Sequence, residues 1–180
     1  MTKKTDPRPV VKLLEDGIAP ELYNHVVDTA SLVTIQLRKH YFDVKAEFYS
    51  PSAQRKLGFE RECGGALYDP ESQVVAGTYR FVVSAKVARR VVLKSVAEYL
   101  VMYEFSSSVD KDAAEAFCKR VGLYAAYPYY RALVSQLSAA ANLDLPTLPM
   151  IATRGSHLRE PNAPPKGERS TKASAPESHS

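Results

Sequence analysis

Val74-Val75-Ala76-Gly77-Thr78-Tyr79-Arg80-Phe81-Val82-Val83-Ser84-Ala85-Lys86-Val87 is the stretch that decides the architecture of this chain. Tyr79, Phe81, Val83, Ala85 and Val87 alternate with Thr78, Arg80, Val82, Ser84 and Lys86. That is the two-residue period of a strand with one covered face, and the run is rich in β-branched and aromatic residues that suit a pleated surface. Arg89 and Arg90 supply a turn to a partner strand over residues 91–105, in which Leu93, Ala97, Tyr99, Val101, Tyr103 and Phe105 share one face. Two long antiparallel strands follow. Their second face carries Val82, Val92, Val96, Leu100 and Met102, more apolar surface than a monomer usually leaves wet, so self-association is expected.

Working back from this pair, Leu22, Tyr23, Val26, Val27 and Ala30 recur at helical spacing after Pro20 and predict a short helix. Val33, Ile35, Leu37 and Tyr41 then alternate with Thr34, Gln36, Arg38 and His40 as a third strand, which the run 44–49 continues past a bend. Ser50, Pro51 and Ser52 break the chain, and residues 58–68, with Gly64 and Gly65, are read as the fourth strand. Working forward, the period changes to that of helices. Ser108 or Asp110 caps a helix over residues 111–121 that Gly122 ends, and a second helix opens at Pro128. Tyr130, Leu133, Val134, Leu137 and Ala141 form the apolar face of that second helix. Strands followed by helices predict an α+β domain, a four-stranded antiparallel sheet with two C-terminal helices packed on it and a short N-terminal helix. The domain is placed at residues 20–153, between a flexible segment 1–19 and a tail 154–180 whose Pro, Ser, Lys and Glu content predicts disorder.

The composition narrows the function. The 180 residues are 45% hydrophobic and 24% charged, which fits one globular domain with a core. Lys94, Glu98 and Glu104 interrupt the longest apolar stretches, so no membrane insertion is expected. Pro7, Arg8 and Pro9 stand where a signal peptide would carry its apolar core, and a cytoplasmic location is expected. Cys63 and Cys118 form no C-x-x-C pair and the four histidines are scattered, so neither a metal nor a disulfide framework is expected. None of the eight glycines sits in a phosphate-binding loop. Ser106, Ser107 and Ser108 lack a histidine neighbour in sequence, and Glu98 and Glu104 stand roughly 20 Å apart along a strand. No catalytic residue, no cofactor and no enzymatic activity is therefore expected. A net charge of +4 and eleven tyrosines would suit a nucleic acid, but part of the basic excess lies in the terminal segments, and nucleic acid is not the expected partner.

One further stretch is distinctive. Leu123-Tyr124-Ala125-Ala126-Tyr127-Pro128-Tyr129-Tyr130-Arg131 leads through Leu133-Val134-Ser135-Gln136-Leu137 to Leu143-Asp144-Leu145-Pro146-Thr147-Leu148-Pro149. It resembles the SecB family of protein-export chaperones, whose members open their long C-terminal helix with an aromatic-Pro-Tyr-x-Arg segment and follow it with a proline-containing loop of leucines. The resemblance covers roughly residues 30–151, and the N-terminal helix and basic tail look more like the toxin–antitoxin-associated subgroup. It implies a dimer of dimers that holds unfolded polypeptides in hydrophobic grooves, without cofactor or turnover. On this resemblance Phe59, Leu67, Tyr68, Leu137, Leu143, Leu145, Leu148 and Met150 are the candidate client-binding residues, and Tyr127, Pro128, Tyr129, Tyr130 and Arg131 form a motif that sets helix position. The candidate partners are non-native polypeptides, further copies of the chain, and SecA or an antitoxin. The basic charge of the chain departs from the acidic export members and puts SecA docking in doubt. The alternatives are a module dedicated to one protein partner, and after it a nucleic-acid-binding protein.

Overall fold

The computed structural model describes residues 17–151. The tail expected at 154–180 lies outside the described residues, as does most of the segment 1–19; of the latter, Ile18 is buried in the core. The order of elements is α1 (Pro20–Thr29), β1 (Ala30–Val44), a 3-10 turn (Ala46–Tyr49), β2 (Arg55–Asp69), β3 (Val74–Val87), β4 (Arg90–Phe105) and α2 (Lys111–Ala140). The four strands form one antiparallel sheet in the order β1-β4-β3-β2, so the two strands read first from the sequence are its centre.

The alternation seen in the sequence is the alternation of burial. Val75, Tyr79, Phe81, Val83 and Ala85 of β3 and Leu93, Ala97, Tyr99, Val101, Tyr103 and Phe105 of β4 are buried on the face that receives α2. Burying each Val, Leu or Phe side chain among them contributes about 1.5–3 kcal/mol, which is why these two strands anchor the domain. Val82, Val96, Leu100 and Met102 stand on the other face, outside that core. Val92, expected with them, is instead in the core: the β3–β4 register shifts at Ala85/Lys86, and the shift changes the face that Val92 presents. The tight turn uses Ala88, at φ 53°, and Arg89, one position earlier than read from the sequence. Residues 46–49 do not extend β1 but coil into the 3-10 turn, because Phe48 tucks into the core at 1% exposure.

The two expected C-terminal helices are a single one. Asp110 caps it, accepting a hydrogen bond from the Ala113 amide at 2.9 Å, and the helix then runs for 30 residues through both Gly122 and Pro128. Gly122 is not a stop. A β-carbon there would collide with the Tyr79 ring, whose hydroxyl passes this point to donate to the Cys118 carbonyl, so glycine is required for the helix to lie this close to the sheet. Pro128 removes one helical hydrogen bond, at a cost of about 3 kcal/mol in a helix interior. Ala126, Tyr127, Tyr130 and Val134 are all buried against the sheet around it, and that burial outweighs the loss.

Candidate functional site

Residues 141–151 leave the end of α2 and turn back along it. Three contacts fix the return. The Asn142 backbone adopts φ 51° and its amide donates to the Ala139 carbonyl, the Tyr127 hydroxyl donates to the Pro149 carbonyl, and the Arg131 Nη1 donates to the Met150 sulfur at 3.0 Å. Pro146 and Pro149 keep the segment extended, since proline holds φ near −65° and cannot join a helix interior.

Two hollows lie on either side of this segment. The larger, about 620 Å³, opens between it and the helix stripe Tyr124, Tyr127, Pro128, Arg131, Ser135 and Ser138. The smaller, about 140 Å³, lies between it and the sheet, where Leu57, Phe59, Val83 and Val134 meet. Leu145, Pro146, Thr147 and Leu148 line both, so the hollows are two sides of one groove whose dividing wall is a single extended segment. The lining is largely apolar, and Arg131 is the charged group of the larger hollow. Phe59 packs its ring 5.6 Å from that of Tyr127, which in turn lies 5.9 Å from Phe81, so the groove floor is continuous with the core. Burial raises the Tyr127 hydroxyl above the usual phenol range, while Arg131 and Arg61 pull it back, and the group stays a proton donor at neutral pH.

The structure sorts the sequence-derived candidates. Leu145, Leu148 and Met150 line the groove and Phe59 lies in its smaller side. Leu143 packs half-buried on the core and Leu137 is half-buried on the flank of α2, and neither lines a hollow. Leu67 and Tyr68 are elsewhere. Eight residues of strand, about 26 Å at 3.3 Å per residue, separate Leu67 from Phe59. Tyr68 is buried against Phe105, ring centroids 5.7 Å apart, while Leu67 points to the opposite face and is 69% exposed. Of the motif residues, Tyr127, Pro128 and Arg131 line the groove, Tyr130 is buried with its ring stacked 5.1 Å from Phe81, and Tyr129 faces solvent. Tyr124, Ser135 and Ser138 were missed. Their spacing repeats that of Tyr127, Pro128 and Arg131, a stripe one flank away from the apolar face, and that period was the available signal. Among the described residues no group of three His, Cys, Asp or Glu is placed to hold a metal ion. No described helix is long and apolar enough to cross a membrane, which says nothing of a β-barrel.

A four-stranded antiparallel sheet bearing one long helix, with a leucine- and proline-lined groove at the end of that helix, places the chain in the SecB-like class of α+β folds. Among solved structures, the Mycobacterium tuberculosis SecB-like chaperone Rv1957, in complex with a ChAD peptide from the Rv1956 HigA1 antitoxin, matches with a TM-score of 0.62 at 16% identity, over 74% of this chain and 98% of that one. In sequence, 55 residues, 31% of the chain, are 40% identical to the SecB-like chaperone SmegB of Mycolicibacterium smegmatis. The chain spans 38% of the length of that relative. No protein-family model matches the sequence. The chain is thus SecB-like in fold and, over that stretch, in sequence.

Proposed function

We propose that this chain is a SecB-like chaperone that holds non-native polypeptides in the groove between α2 and residues 145–151. The observation that carries the reading is the groove itself: apolar, open along its length, and walled by an extended segment whose backbone is largely free of secondary structure. Unfolded chains share exposed apolar side chains, and an elongated greasy channel meets them without requiring a defined sequence, whereas an enzyme would need convergent polar groups. Leu145, Leu148, Met150 and Phe59 are the client contacts, and Tyr127, Pro128 and Arg131 hold the wall in place. The chain works in the cytoplasm, without a cofactor or turnover, and assembles as a dimer of dimers; its task is export or the control of a partner such as an antitoxin. SecA remains a less favoured partner on account of the +4 charge.

A photo-crosslinking amino acid placed at position 148 and, separately, at position 67 tests the site. An unfolded client is expected to be captured at 148 and not at 67, and the reverse pattern rejects the groove. A second reading, a module dedicated to a single partner, is favoured by one specific observation, the antitoxin peptide in the complex of the structural relative. Recovery of one partner and no mixture of clients from the native host would support it over general holding.

A further inference from the structure

We infer that Arg131 makes the groove selective for extended apolar segments that carry an Asp or Glu near their middle. The inference rests on the holding function proposed above and names the chemistry of the clients it favours. Arg131 is half-buried at the centre of the helix stripe that faces the wall, midway between Tyr124 and Ser138. Its Nη1 donates to the Met150 sulfur, an uncharged and weak acceptor, and among the described residues it has no ion-pair partner. No Asp or Glu lines either hollow. Arg61 adds to the imbalance. It stands on the same side of β2 as Phe59, opposite Phe81 of β3, and acts on the Tyr127 hydroxyl as Arg131 does; it too lacks an ion-pair partner among the described residues.

The open groove leaves the guanidinium to water, and a bound client takes that water away. An apolar side chain laid over Arg131 buries an unpaired charge, which opposes binding. A carboxylate there instead accepts charge-assisted hydrogen bonds from the free N–H groups, between apolar walls that weaken screening. The position of the charge also selects the kind of carboxylate. From Tyr124 to Ser138 the stripe runs about 21 Å at 1.5 Å per residue, so an extended client lies along it with about six residues. A side-chain carboxylate in the middle of those residues meets Arg131, whereas a chain terminus there leaves half of the stripe uncovered. Side chains of an extended segment alternate, so the neighbours of the acidic residue turn to Leu145, Leu148 and Met150 on the facing wall. The favoured client therefore reads apolar, acidic, apolar at consecutive positions.

The test is fluorescence anisotropy of three labelled peptides on the full chain, each the same apolar stretch between glycine-serine ends with Asp, Asn or Lys at its centre. Circular dichroism establishes folding of every variant. The Asp peptide is expected to bind about tenfold tighter than the Asn peptide and the Lys peptide most weakly, and the gap between Asp and Asn is expected to narrow as salt rises. Arg131→Gln is expected to bring the three peptides level, and Arg131→Lys to keep the preference for Asp. Met150→Leu removes the sulfur contact but keeps the charge: an Asp preference retained there separates recognition by Arg131 from its hold on the wall, and a preference lost there counts against recognition. Equal binding of the Asp and Asn peptides by wild type, or an undiminished Asp preference in folded Arg131→Gln, overturns the inference and leaves the holding function standing. Failure to bind any of the three by chain that suppresses aggregation of an unfolded protein does the same. Chain that binds neither the peptides nor an unfolded protein overturns both. Should Arg131→Gln unfold, the order of the three peptides on wild type still decides.

Discussion

Tyr127 donates its hydroxyl proton to the carbonyl of Pro149, joining the middle of α2 to a residue 22 positions further along the chain. The bond pins the wall of the groove to the helix, close to the Arg131 to Met150 contact that pins it again one residue later. Tyr127→Phe keeps the ring against Phe59 and Phe81 and removes only the bond. It is expected to lower stability by about 0.5–1.5 kcal/mol and to speed amide exchange in residues 145–151 more than in the sheet. Unchanged exchange in that segment would show that Tyr127 does not hold it.

Gly122→Ala separates two opposing effects. Helix propensity alone favours alanine by about 1 kcal/mol. The new methyl would meet the Tyr79 ring, so a net destabilisation of about 1–3 kcal/mol is expected, with Tyr79→Phe in the same chain recovering part of it by removing the hydroxyl. A thermal melt in which Gly122→Ala is as stable as wild type would mean that the helix stands further from the sheet than described.

These two sites also explain what the sequence made legible and what it hid. The central strands were readable because burial alternates with the sequence over 75–85 except at Val82, which is buried although it stands on the other face, and their antiparallel pairing was read with them. The break expected at Gly122 and Pro128 was not there, because local preference at both positions is overridden by packing: Tyr79 needs the glycine, and the buried Tyr127, Tyr130 and Val134 carry the helix through the proline. Within the groove, Leu145, Leu148 and Met150 could be named since they follow the helix directly. Phe59 reached it from a distant strand, and Leu67 did not, because it lies about 26 Å further along β2 and a register shift at Cys63/Gly65 also turns it to the opposite face.

Leu148→Ser and Leu67→Ser distinguish the groove from the outer sheet face. Leu148→Ser is expected to reduce client affinity at least tenfold with little change in melting temperature, as Leu148 is only half-buried and lines both hollows. Leu67→Ser is expected to leave client affinity unchanged. Fluorescence titration with a labelled unfolded peptide reads both, and equal losses in the two variants would remove the groove from the account.

High pH should unfold the domain through its buried tyrosines. Burial pushes Tyr103 and Tyr130 up to about 12 and raises Tyr79 and Tyr99 as well, from an ordinary value of 10.0. A raised folded-state value means that the unfolded chain releases its protons first. The stabilisation is therefore complete below about pH 10 and is lost as pH rises towards about 12. Phenolate absorbance and loss of β-sheet dichroism are expected to rise together across that window. Full ionisation of all eleven tyrosines near pH 10, with the dichroism intact, would contradict the packing of these rings.

The central claim is that the groove holds unfolded chains, and light scattering of a chemically unfolded protein diluted into buffer tests it most directly. With the folded wild-type chain present near stoichiometric ratio, scattering is expected to be suppressed, and Leu148→Ser is expected to require at least a tenfold excess for the same effect. No suppression by wild-type chain that is folded and assembled in the same preparation would contradict the holding function and leave the single-partner module in its place.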